Sequence, residues 1–222
     1  MTPQQQMIYD AFNSEVYVSN RMDVQHTPLY DTVRINAGGG AAPTIVNQIN
    51  TTFFTNVGPA SGKTIAQTNM TQASRLPAPE AFAIFGFRLK WNEDILDTDL
   101  LQLLGSSGVV ADVPTGVAPA GGFALEFTLG QKVYQRAPLW YFAAGGGVSG
   151  FTTQTADQAY TNGLPAREAM HKLAIPIVIE NQMTFEAHLV GTPFTCAANA
   201  VFAGRGITLT LLLDGLYARG VQ

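Results

Sequence analysis

Charge is what this sequence has least of. Asp, Glu, Lys and Arg make up 13% of its 222 residues, against roughly 25% in an ordinary soluble domain. A chain that lives alone in water keeps itself dispersed with ionised side chains, so this shortage predicts a surface largely covered by other protein. The 12 basic residues are scattered and the net charge is −4. That excludes the clustered Lys and Arg with which nucleic-acid binders displace counterions, and it excludes a polybasic membrane patch. The single cysteine, Cys196, excludes an intrachain disulfide and a cysteine-based zinc site, and its small apolar setting suits a buried, inert thiol. No apolar run approaches the roughly 18 residues of a membrane span. The leader Met1-Thr2-Pro3-Gln4-Gln5-Gln6 lacks the charged-then-apolar build of a secretion signal. The expectation is a protein made in a cytoplasm, acting there or in something assembled there, with no nucleic-acid contact and no membrane span.

What is present is hydrophobic (46%) and rich in glycine and turn residues, so the chain can bury a core of its own. Residues 1–13 read as an arm, in which Met7, Ile8, Tyr9 and Phe12 form an apolar cluster behind a polar leader. The cluster needs something to lie against, either the core or a neighbouring subunit. From residue 14 to residue 222 the texture is that of one β domain, with short strands expected near 14–18, 32–35 and within 44–56. Residues 57–79, polar and aperiodic, read as a long surface excursion. Residues 81–91 are the clearest strand; Ala83, Phe85, Phe87, Leu89 and Trp91 share one parity and should face the core. A single helix is expected over 94–104, capped by Asn92 or Asp94 and ended by Gly105.

Alternation places Phe123, Leu125, Phe127 and Leu129 inward, with a hairpin turn at Gly130-Gln131 and a return through Lys132 to Gln135. A second excursion covers 149–163. Leu173 to Glu180 and Met183 to Val190 read as a hairpin turned at Asn181-Gln182, with Pro176 marking an edge or a bulge. Ile207 to Leu213 is a final strand that can run on past Gly215. Short strands without βαβ alternation predict an all-β, antiparallel β-sandwich, with a jelly roll as the expected form.

No motif carries chemistry. Gly58-Pro59-Ala60-Ser61-Gly62-Lys63-Thr64 has one residue too few between its glycines for a phosphate loop, and no helix pattern follows it. It reads as a flexible loop. Glu93, Asp94, Asp97 and Asp99 do not match a calcium loop; opening a helix, they answer its dipole. His26, His171 and His188 fit no metal pattern, and no serine sits in a nucleophile elbow. His171 and His188 are the most that a cupin-like metal site could draw on. Asn50-Thr51-Thr52 and Asn69-Met70-Thr71 match the glycosylation pattern only by sequence. The reading is a protein that is not an enzyme, with no cofactor and no metal. Trp140, Tyr141 and Phe142 form the one aromatic triplet. Rings at such a place serve a core and a subunit interface, or, with Asp157 nearby, a sugar.

The strand Phe82–Trp91 followed by the helix Asp94–Leu104, the pair Leu173–Val190, and the closing Gly206-Ile-Thr-Leu-Thr-Leu-Leu-Leu-Asp-Gly-Leu216 together resemble bacteriophage virion proteins built on a β-sandwich or jelly roll. The resemblance implies a capsid or capsid-associated role inside an assembled virion, with copies of the chain and other virion proteins as partners. Met7, Ile8, Tyr9, Phe12, Trp140, Tyr141 and Phe142 are then the candidate subunit-interface residues. A carbohydrate-binding jelly-roll module is the alternative.

Overall fold

The computed structural model describes residues 22–35, 44–45, 52–91, 123–145, 172–191, 194–195 and 207–220. The expected arm, the strand near 14–18, the helix over 94–104 with its acidic cluster, the excursion at 149–163, Asp157, His171 and Cys196 lie outside the described residues. The described strands are β1 (Met22–His26), β2 (Leu29–Ile35), β3 (Thr44–Ile45), β4 (Thr52–Phe53), β5 (Ala81–Trp91), β6 (Phe123–Leu129), β7 (Lys132–Pro138), β8 (Lys172–Ile179), β9 (Phe185–Gly191), β10 (Phe194–Thr195) and β11 (Ile207–Gly220). All their pairings are antiparallel. The fold is the all-β sandwich expected from the alternation.

One sheet runs β1/β2–β11–β5–β8, the other β4–β9–β6–β7, and β3 pairs with β10 as a small separate ribbon. β1 and β2 are one strand interrupted. They lie along the same side of β11, and Met22↔Gly220 and Leu29↔Leu213 belong to a single unbroken register. The interruption falls at Thr27-Pro28, where proline has no N–H to give the ladder. With β1 and β2 taken as the first strand and the β3–β10 ribbon set aside, the order is first–eighth–third–sixth in one sheet and second–seventh–fourth–fifth in the other. Successive strands therefore change sheets at every step except β6 to β7, which form a hairpin through Gly130-Gln131, with Gly130 at φ 60°.

This topology corrects the expected hairpin of Leu173–Val190. β8 pairs with β5, whereas β9 pairs with β4 and β6. The Asn181-Gln182 turn is thus a corner between sheets. Gln182 at φ 60° is held there by its backbone N–H and its side-chain amide, both donated to the Leu76 carbonyl. Pro176 does sit on an edge strand, and the β5–β8 register breaks just before it resumes at Ile177.

The core is the space between the sheets. Phe87 of one sheet meets Phe127 of the other edge-on at 5.3 Å, and Phe127 continues to Phe185 and Phe54. Such offset aromatic pairs add roughly 0.5–1.5 kcal/mol beyond area burial. Leu209, Leu211 and Leu213 of β11 and Leu125 and Leu189 of the facing sheet fill the remainder.

One expectation about this core needs correction, and a second needs an addition. In β5 the inward set changes parity: Phe82 and Ile84 face the core before Phe85, and Phe87, Leu89 and Trp91 after it. Ala83 and Phe85 belong instead to a small apolar cluster with Ala218, Val178 and Leu216. The cause is a bulge, seen as a register skip of Phe85 against β11 between Asp214 and Gly215; an extra residue on one strand exchanges the faces beyond it. Second, residues 57–79 form the irregular surface excursion that the sequence predicts, but it is anchored to the core. Met70 and Leu76 are buried in the main core, and the Asn69 side chain clamps β2 by accepting from Tyr30 N at 2.9 Å and donating to the Pro28 carbonyl at 2.8 Å.

Candidate functional site

The aromatic triplet is not a strand. Leu139–Phe142 forms a 3-10 turn that buries Leu139 and Phe142 and turns Trp140 outward. Consecutive residues in such a turn point to different sides, so the triplet divides. Phe142 packs in the core against Phe87 at 5.9 Å, which leaves no surface through which it could touch a partner. Tyr141 is half-buried against the core, at 5.2 Å from Phe142. Trp140 is 55% exposed and is the ring of the three that a partner can reach. Met7, Ile8, Tyr9 and Phe12 lie outside the described residues.

The near-match to a phosphate loop proves to be a built loop. Ser61 turns back on Gly58 through its backbone N–H (3.1 Å) and its hydroxyl (2.7 Å), and its Oγ accepts the Lys63 N–H. Lys63 then reaches into the fold and donates to Asp31 Oδ1 at 2.7 Å, while Asp31 Oδ2 accepts the Phe54 N–H at 2.8 Å. The Asp31 side chain is wholly buried and that of Lys63 is 13% exposed. A lysine committed to a buried carboxylate is a clamp between β2 and the loop, with a role other than cradling phosphate.

On the outer face of the second sheet one level of the ladder is polar across all four strands. Thr52 of β4 stands opposite His188 of β9, His188 opposite Glu126 of β6, and Glu126 opposite Arg136 of β7. Glu126 accepts from Arg136 and lies 3.2 Å from His188 Nε2. Glu126 and His188 are nonetheless buried, at 7% and 8% exposure. Opposite charges placed directly across a ladder stabilise it by roughly 0.2–1 kcal/mol. The row holds the sheet in register. His188 faces away from Phe185, as the alternation requires, and no serine or second histidine joins it among the described residues. No grouping of three or more metal-ligating side chains occurs among the described residues.

Among the described residues a concavity lies where β2 and β4 meet. It encloses about 700 Å³ and is walled by Thr32, Arg34, Thr55, Asn56, Lys63 and Glu186, with Val33 among its apolar contacts. Groups that both donate and accept dominate this wall. Nothing in the sequence pointed to it, because its residues come from β2, β4, β9 and the 55–67 loop, and only the fold brings them together.

No family model, curated protein or solved structure matches the chain. Among the described residues no helix is long and apolar enough to cross a membrane.

Proposed function

We propose that this protein is a structural component of a virion, a capsid or capsid-associated subunit that assembles with copies of itself and with other virion proteins. The observation that carries the reading is the strand order, first–eighth–third–sixth over second–seventh–fourth–fifth, which we read as a jelly roll, a fold used repeatedly for viral shells. The charge content of 13% supports it, since buried interfaces are depleted in Lys, Glu and Asp. So do Trp140, Ile175 and Val24, large apolar side chains that stand exposed on a single copy. The subunit works by packing, not by catalysis, and contacts run through loops and the 1–13 arm. Its place of action is the virion, put together in the host cytoplasm.

Light scattering and electron microscopy of the purified chain test this directly. Rings, shells or co-assembly with other virion proteins are expected, and deletion of residues 1–13 should weaken assembly. A monomer that stays dispersed at high concentration and joins no partner would overturn it. The exposure of Trp140 beside Tyr141 also favours a second reading, a carbohydrate-binding jelly roll; glycan-array binding abolished by Trp140→Ala would establish that one in its place.

A further inference from the structure

We infer that the outer edge of β7, with Trp140 beside it, is a docking site for an acidic, apolar, extended segment, and that its occupant is residues 7–15 of a second copy of this chain. The inference rests on the assembly reading and deepens it by naming one contact. β7 pairs with β6 on one side and with no described strand on the other. The chain from Phe123 through β7 to Gly145 is described without a break. Lys132, Val133 and Tyr134 are exposed in succession, and Arg136 and Pro138 after them, so both faces of the strand see solvent. An edge strand offers main-chain groups to an added chain, and Pro138, with no N–H for a ladder, suits such a position. Val133 and Tyr134 are 43% and 44% exposed, and β7 runs directly into the turn that holds exposed Trp140. Lys132 and Arg136 make this apolar strip basic, and neither β7 nor β8, the edge strand of the other sheet, carries a carboxylate. Lys132 Nζ lies over the Tyr134 ring at 5.1 Å and meets no carboxylate among the described residues. Arg136 donates to Glu126, yet its side chain remains 60% exposed, which leaves part of its donor fork to a partner. Like charges facing across a ladder are destabilising, so β7 disfavours a second β7 and selects a segment that brings carboxylates.

The chain itself supplies such a segment. Residues 7–15 join the apolar Met7, Ile8, Tyr9 and Phe12 to two carboxylates, Asp10 and Glu15, and no basic residue precedes Arg21. Its apolar side chains match Val133, Tyr134 and Trp140, and its carboxylates match Lys132 and Arg136. Residues 16–21 link the segment to β1, which starts at Met22. At roughly 3.3 Å per extended residue that linker can span about 20 Å, enough to cross to a subunit packed alongside.

The test is a titration of the full-length protein against a fluorescein-labelled peptide of residues 5–17, read by anisotropy, with light scattering for assembly in parallel. Saturable binding that the unlabelled peptide competes away is expected. Lys132→Glu should weaken it at least tenfold, whereas Lys90→Glu, the same change at an exposed position on β5 of the other sheet, should leave it within twofold. A peptide carrying Asp10→Lys and Glu15→Lys should bind the wild type at least tenfold more weakly and regain affinity for Lys132→Glu; its comparison on the wild type does not depend on any variant folding. Equal affinity for the wild type and Lys132→Glu, or of both peptides for the wild type, would overturn the inference. Carbodiimide coupling, which joins a lysine to a carboxylate in contact with it, then identifies the occupant in assemblies formed from mixed unlabelled and isotope-labelled protein. Lys132 joined to Asp10 or Glu15 in peptides of mixed isotope is expected, and joining only within one isotope would overturn the second copy as occupant. Absence of assembly by the wild type would overturn the virion reading, while the peptide titration still decides the β7 site.

Discussion

Replacing Lys63 with methionine should destabilise this domain far more than the loss of a loop lysine ordinarily does. The Asp31 side chain is wholly buried, and two donors hold it: Lys63 Nζ at 2.7 Å and the Phe54 N–H at 2.8 Å. Methionine keeps the length and apolar stem of lysine but leaves the carboxylate with one N–H. Removing one partner of a buried ion pair costs about 3–5 kcal/mol, because the other charge stays behind uncompensated. The Phe54 N–H remains, and 13% of the Lys63 side chain sees water, so the lower end of that range is expected. For a domain of this size each kcal/mol lowers Tm by about 2–4 °C, which puts the shift near 6–12 °C.

The double substitution Asp31→Asn with Lys63→Met separates this cause from simple loss of packing. The amide is neutral and still accepts the Phe54 N–H, so only net hydrogen-bond energy of about 1–2 kcal/mol is lost. The double variant should therefore be more stable than Lys63→Met alone by about 1–2 kcal/mol. Urea unfolding followed through the fluorescence of buried Trp91 measures all of these quantities. A cost below about 1 kcal/mol for Lys63→Met, the level of an exposed pair, would refute the argument. So would a double variant no more stable than the single one.

Three further outcomes follow from the packing and the electrostatics. Gly215→Ala should destabilise by about 1–3 kcal/mol or more, since a Cβ there would lie 2.0 Å from the Ala83 carbonyl oxygen and 2.7 Å from the Phe82 ring; a thermal melt unchanged from wild type would contradict that close approach. Phe142→Ala should cost about 3–5 kcal/mol as a core truncation, while Trp140→Ala should stay within about 0.5 kcal/mol in stability and weaken assembly, so parallel melts and light scattering of the two variants distinguish core from interface. Burial, then the Glu80 carboxylate that accepts its O–H, push the Tyr217 phenol above its usual range, with Arg219 opposing. The folded state thus holds that proton more tightly than the unfolded chain. The resulting stability is complete below about pH 10, the phenol's ordinary value, and declines as the pH rises beyond it. Tyr217→Phe should flatten that decline in urea melts taken from pH 9 to 12, and parallel losses in both proteins would count against the assignment.

Local alternation made most of the strands legible, because a half-buried strand must repeat its apolar residues every second position. Phe123, Leu125, Phe127 and Leu129 face inward as the pattern requires, and β11 keeps Leu209, Leu211 and Leu213 inward. What alternation cannot register is an inserted residue. β5 is apolar on both parities from Ala81 to Phe87, so the shift at Phe85 left no mark in the pattern except Gly86, a glycine inside a strand, which is the usual trace of a bulge or a close approach. Pairing is likewise invisible to a local pattern. Leu173–Val190 has the form of a hairpin, yet its turn is tied to Leu76, more than a hundred positions away, and the two strands enter opposite sheets. The same separation hides the sites. Asp31 and Lys63 are 32 residues apart, and His188 and Glu126 are 62 apart; each pair exists only once the register is set. A residue such as Lys63, charged and inside a glycine-rich loop, therefore reads as solvent-facing in sequence and becomes a buried clamp only through the carboxylate that β2 brings beneath it.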